Sequence, residues 1–187
     1  LVVAFSAYAD RFNAENATEI AAGTVTAKTH SSADFILAAS GIEQRYVLDK
    51  VGILDPTRMF PNLPERADDA PAVMAEMGCD AAQKALTQAG LVAGDIDLVI
   101  CAASNHERAY PAIAVEIQQL LGTAGFAFDM NVACSSATFG IQTATDMIRA
   151  GSIRRALVVN PEICSAHLEW RDRDCHFIFG DVATATV

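Results

Sequence analysis

The sequence predicts an α/β layered fold, and three observations lead there. Amphipathic segments of helix length alternate with short apolar runs rich in β-branched residues, the pattern of strands buried between helices. Glycines fall just past the helix-patterned segments, where a left-handed C-terminal cap is needed. Of the 187 residues, 52% are hydrophobic and 19% are charged, the balance of a globular chain with one sizeable core.

The elements follow in order. "LVVAFSAYADRFNAENATEIAAG" is expected to form one helix, with Gly23 past its end. "SADFILAASGI" is expected as a short second helix closed by Gly41. The stretch from Glu43 to Pro71 is rich in Pro and Asp and reads as a long loop, a kind of segment that is usually functional or mobile. "VMAEMGCDAAQKALTQAG" predicts an amphipathic helix ending at Gly90, and "DIDLVICAAS" a buried strand. "YPAIAVEIQQLLG" predicts a helix with Pro111 in its first turn. "GFAFDMNVA" is the next strand. "SSATFGIQTATDMIRAG" is the next helix, with Ala137, Ile141, Ala144 and Ile148 on one face and Gly151 at its end. "RRALVVNPEI" is a strand, and "HFIFGDVATATV" reads as strand, turn and strand. The chain opens without Met and stops inside an apolar strand pattern, so it is expected to belong to a larger protein.

Several function classes are disfavoured. A net charge of -10 leaves no basic stripe for nucleic acid, although an acidic protein partner could dock on a local basic patch. The five cysteines are odd in number and lack CxxC spacing, which reads as reduced thiols in a cytoplasmic protein. No apolar run is long enough to span a membrane, and the opening residues do not form a signal peptide. No G-x-G-x-x-G follows a strand. Cys164, His167, Cys175 and His176 cluster, but at a spacing that matches no ordinary zinc site, so no metal is expected.

The informative stretch is "DMNVACSSATFG", from Asp129 to Gly140. Cys134 falls between the end of an expected strand and the start of an expected helix. One reading is an inert core thiol, the default for a free cysteine. The other is a nucleophile. A thiol at that elbow faces the positive end of the helix dipole and unpaired N–H groups, which favour the thiolate. Ala133, Ser135, Ser136 and Ala137 are small enough to leave room for a substrate. Cys79, Cys101, Cys164 and Cys175 lack that setting; Cys101 falls within a strand and Cys79 within a helix.

"DMNVACSSATFGIQTATDMIRAGSIRRALVVNPEI" resembles the nucleophile segment of the β-ketoacyl-[acyl-carrier-protein] synthase III family, in the thiolase superfamily. "RDRDCHFIFGDVATATV" resembles the Arg-containing loop and "FGD" turn that follow it there. "SGIEQRYV" is similar to the family's "TGI-x-x-R" segment, and "SNHERAYPAIAVEIQQLLG" to the segment where an aromatic-Pro pair precedes a helix. The resemblance implies a thiolase-like layered fold, of which residues 1–187 would form the N-terminal half, a mixed sheet with helices on both faces. The first strand and the C-terminal half would be absent, and residues 43–71 would be an inserted loop.

The same resemblance implies an acyltransferase of fatty acid biosynthesis. Cys134 would take an acyl primer from acyl-CoA or an acyl carrier protein. A decarboxylative condensation with malonyl-[acyl-carrier-protein] would follow, in a homodimer and without a cofactor. Arg173 matches an arginine that stacks on the adenine of coenzyme A, and Phe35 stands on that adenine's other side. Ile178 and Phe179 would line the pantetheine or acyl channel, or serve as core strand residues. Tyr110 matches an aromatic that reaches across the dimer interface, or packs at the N-terminus of its helix against a neighbour. The family's catalytic His and Asn come from its second half; His30, His106, His167 and His176 match neither position. Two alternatives stay open: another thiolase-superfamily synthase, of the hydroxymethylglutaryl or polyketide type, and a non-catalytic half-domain that binds a partner. The primer length is open too.

Overall fold

A computed structural model describes residues 1–187. The chain folds as two compact units. One comprises Leu1–Pro64 and Cys164–Asp181, the other Glu65–Ile163 and Val182–Val187.

The second unit holds a four-stranded mixed sheet of order β2-β1-β3-β4. Its strands are β1 (Leu98–Ala102), β2 (Phe126–Met130), β3 (Ala156–Ile163) and β4 (Asp181–Thr186). β1 runs parallel to both neighbours, with Cys101 opposite Asp129 on β2 and Val159 on β3. Every residue of β1 is buried, as expected of a central parallel strand. The period-2 alternation divides it between two cores. Val99 and Cys101 pack with Leu157 and Val159 against α5 (Val73–Ala89) and α6 (Ile113–Leu121). Leu98, Ile100 and Ala102 face the other way, with Val158, towards α7 (Ser136–Arg149).

Gly90 and Gly122 cap α5 and α6 in the left-handed conformation, at φ of 68° and 73°. That conformation costs glycine nothing. Pro111 is not in the first turn of α6, which starts at Ile113 after the N-cap Ala112. The helix begins where a carboxylate can meet it: Asp129 of β2 accepts the N–H groups of Ile113 at 2.9 Å and Ala114 at 2.7 Å. Glu116 of α6 accepts in turn from Ala72 N–H at the head of α5.

Of the apolar face expected on α7, only Ala144 is buried. Ile141 and Ile148 are exposed, as are Ala137 and Phe139; Ser136, Gly140 and Ala144 are the buried residues. The cause is close approach. A Cβ on Gly140 would lie 2.9 Å from the Ala102 side chain and 3.0 Å from that of Val158, so only the small-residue face lies flat on the sheet.

In the first unit, Phe5, Tyr8, Ala9, Ile53, Met59, Leu168 and Trp170 form the core. The opening segment is two helices rather than one, α1 (Val2–Glu15) and α2 (Ala17–Ala21). Asn16 breaks it by donating its side-chain amide to the Phe12 carbonyl at 2.7 Å, the local competition that makes Asn a poor interior helix residue. α3 (Ala33–Ser40) ends at Gly41 as expected. The stretch from Glu43 to Pro71 is not wholly loop. It contains α4 (Lys50–Leu54), whose N-cap Asp49 accepts from the N–H of Val51 and of Gly52. The segment "HFIF" is not a strand either. Turn bonds run from His176 N–H to the Asp172 carbonyl and from Ile178 N–H to that of Cys175.

Candidate active site

Cys134 is exposed and sits on the elbow between β2 and α7. The helix begins at Ser136, two residues after the cysteine. Ala133, just before it, has φ of 47°. A residue with a Cβ rarely adopts that backbone, and surrounding bonds must hold it there. Two side chains do so. Asn131 accepts from Ala133 N–H at 3.0 Å, an Asx turn, and donates to the Ser104 carbonyl at 2.9 Å. The Ser136 hydroxyl accepts from Val132 N–H at 2.8 Å and lies within hydrogen-bond distance of the Ala103 and Ala133 carbonyls. Ser104 is itself fixed, since Glu162 accepts from both its N–H and its hydroxyl. Glu162, Ser104 and Asn131 thus brace the turn in sequence. Ser136 reads in sequence only as a small neighbour of Cys134, and here it is a buried strut. The signal available for Asn131 is its type, an Asn two residues ahead of a tight turn.

Cys101, His106 and Asp129 also come together, their sulfur, nitrogen and oxygen atoms lying within 4.8 Å of one another. Each has another task. Both Asp129 oxygens accept the α6 N–H groups, and His106 Nε2 lies 3.4 Å from the Cys101 carbonyl. Burial, aided by the Asp129 and Glu162 charges, pushes the Cys101 thiol up and keeps it protonated.

In the first unit, Phe35 and Arg173 meet directly. The guanidinium carbon lies 3.5 Å from the Phe35 ring centroid, a cation–π stack. Arg173 Nε donates to the His30 carbonyl at 2.8 Å. The face of Phe35 that the resemblance reserves for an adenine is covered by the guanidinium itself. Ile178 and Phe179 are exposed, at 42% and 47%, so they are neither strand nor core residues. Phe177, which the sequence reading passed over, is the buried one, and its ring meets Phe35 edge-on at 5.9 Å. Tyr110, in the second unit, is 89% exposed, so it is not packed against a neighbour ahead of α6. Burial lowers the pKa of His176, which stacks on Phe5.

A strand-to-helix elbow that presents an exposed cysteine beside a layered parallel sheet is the arrangement of thiolase-like enzymes. The 3-oxoacyl-[acyl-carrier-protein] synthase III family model matches residues 128–187, which include that elbow. A β-ketodecanoyl-[acyl-carrier-protein] synthase of Pseudomonas aeruginosa is 55% identical over 98% of this chain and 52% of its own length. A β-ketoacyl-[acyl-carrier-protein] synthase III of Acidiphilium cryptum is 40% identical over 77% of this chain and 52% of its own. The crystal structure of the Aquifex aeolicus 3-oxoacyl-[acyl-carrier-protein] synthase III superposes with a TM-score of 0.69 at 26% identity, over 83% of this chain and 44% of that one. The chain belongs to the β-ketoacyl-[acyl-carrier-protein] synthase III family, and it spans about half the length of the curated relatives it matches. None of its helices is long and apolar enough to cross a membrane.

Proposed function

We propose that the full protein is a condensing acyltransferase of fatty acid biosynthesis, with Cys134 as its nucleophile. The observation that carries this is the exposed, braced Cys134 elbow within a chain 55% identical to a β-ketodecanoyl-[acyl-carrier-protein] synthase. In the first step the Cys134 thiolate attacks the carbonyl carbon of an acyl thioester, and the donor leaves as its own thiolate. Malonyl-[acyl-carrier-protein] then loses carbon dioxide. The resulting carbanion attacks the acyl-cysteine, forms the new carbon–carbon bond and releases the Cys134 thiolate. The covalent intermediate divides a difficult condensation into two easier steps. The main-chain N–H of Cys134 serves as an oxyanion donor.

The primer follows from the relative's product. A β-ketodecanoyl group has a ten-carbon chain, and malonyl condensation after decarboxylation adds two, so the primer is an octanoyl group. Its donor is octanoyl-CoA or the octanoyl carrier protein, and the adenine of the former enters between Phe35 and Arg173 by displacing the guanidinium from the ring it covers. Ile178 and Phe179, both exposed, line the channel for the pantetheine or acyl chain. The protein works as a cytoplasmic homodimer with Tyr110 at the subunit contact, a role that its exposure supports.

Full-length protein, supplied with octanoyl-CoA and malonyl-[acyl-carrier-protein], is expected to form β-ketodecanoyl-[acyl-carrier-protein]. Cys134→Ser is expected to lose this activity. A serine hydroxyl at the same place ionises far less readily and needs a general base. Its fold is expected to lose less than about 1.5 kcal/mol, because the two side chains are close in volume. Condensation by Cys134→Ser at near the parent rate overturns the proposal.

A further inference from the structure

His176 is fully buried and has two hydrogen-bond partners. Its Nδ1 lies 2.7 Å from the Arg173 carbonyl. A carbonyl can only accept, so Nδ1 carries the proton. In the neutral ring Nε2 is then the acceptor, and the Ser31 hydroxyl, 3.0 Å away, donates to it. The two contacts fix a single tautomer. They also join two places far apart in sequence. Arg173 belongs to the turn-rich segment after Trp170, while Ser31 stands just ahead of α3. Ser32 caps that helix, its hydroxyl accepting from Phe35 N–H at 3.0 Å. The aromatic side chain of the pair therefore starts from the same short segment that His176 holds.

The ring itself is wedged. It stacks on Phe5, with centroids 4.6 Å apart at 24°, and meets Phe177 edge-on at 5.4 Å. Phe177 in turn backs Phe35. The two sides of the Phe35–Arg173 pair are thus referenced to one imidazole by hydrogen bonds and by ring contacts. We propose that His176 is the positioning residue for this pair, its Nδ1–H fixing the Arg173 main chain and its Nε2 holding Ser31 at the head of α3. The inference rests on the reading above that Phe35 and Arg173 contact a coenzyme A thioester. It explains why a histidine stands in a segment where an apolar residue would pack equally well: only a side chain with a donor and an acceptor on opposite sides joins both segments.

The test measures kcat and KM of full-length variants with octanoyl-CoA and with the octanoyl carrier protein. Ser31→Ala removes one contact and leaves the ring in place. His176→Asn keeps an amide donor near the Nδ1 position and loses the Ser31 contact. His176→Ala loses both. The KM for octanoyl-CoA is expected to rise about tenfold in His176→Ala and about threefold in the two milder variants. The KM for the carrier-protein thioester is expected to stay at the parent value, with kcat little changed for either donor. A purely structural histidine would lower the thermal midpoint and leave the ratio of the two KM values unmoved, and that result overturns the proposal. Should His176→Ala fail to fold, Ser31→Ala and His176→Asn decide the matter alone. Arg173→Ala separates the two layers of the argument. If it raises the KM for octanoyl-CoA while the Ser31 and His176 variants do not, only the positioning role is wrong. If it too leaves that KM unchanged, the coenzyme contact is wrong and the positioning role falls with it.

Discussion

Cys101 and Cys134 belong to the same sheet unit, one in β1 and the other just past the end of the adjacent β2. Cys101 is buried in the middle of a central strand, its sulfur turned into the α5–α6 core. Burial and the carboxylates of Asp129 and Glu162 push its thiol up. Cys134 lies exposed on a turn held by Asn131 and Ser136. The residue type is the same and the neighbourhood nearly so. What differs is the backbone: a strand interior hides a thiol, and an elbow with a left-handed residue before it presents one. Candidate nucleophiles in layered α/β proteins are better sought at strand ends than by counting cysteines.

The largest effect that would sharpen this contrast is in alkylation. Iodoacetamide at near-neutral pH is expected to label Cys134 at least about a hundredfold faster than Cys101, because access and thiolate fraction both oppose reaction at the buried thiol. Cys79, on α5 and also shifted upward by burial, is expected to behave like Cys101. Peptide mapping over time reads the ratio, and comparable labelling of Cys101 and Cys134 would break the comparison.

A smaller effect is expected at Gly140. The close approach of α7 to Ala102 and Val158 leaves no room for a branched side chain. Gly140→Val is expected to destabilise the protein by about 1–3 kcal/mol through overpacking. It should also slow acylation of Cys134, whose elbow leads into the displaced helix, without exposing Cys101. Denaturant melts together with alkylation rates check this. An unchanged midpoint would mean that α7 does not lie as close as described.

Much of this was legible in the sequence, for physical reasons that can be named. The ends of α3 and α5 were read from Gly41 and Gly90 because a left-handed cap strongly favours glycine. β1 was read from its unbroken apolar run, and the position of Cys134 from the change of period around it. Apolar spacing puts Ala137, Ile141, Ala144 and Ile148 on one face of α7, but only Ala144 of these is buried; close approach to the sheet adds Ser136 and Gly140, a steric demand that hydrophobicity does not encode. The long-range contacts that brace the elbow are not legible. Asn131 meets Ser104 across 27 residues, and Ser104 meets Glu162 across 58. No local pattern announces a contact of that range. Nor does the alternation of "HFIF" reveal that its His is held by a serine 145 residues away.

The central claim is that Cys134, and no other cysteine, carries the acyl group. Full-length protein incubated with octanoyl-CoA in the absence of malonyl thioester, then digested at mildly acidic pH, allows the acylated peptide to be identified by mass. The account predicts one octanoyl group, on the peptide containing Cys134, removed by hydroxylamine as a thioester should be. An octanoyl group found on Cys101, or on any peptide other than that of Cys134, would contradict it.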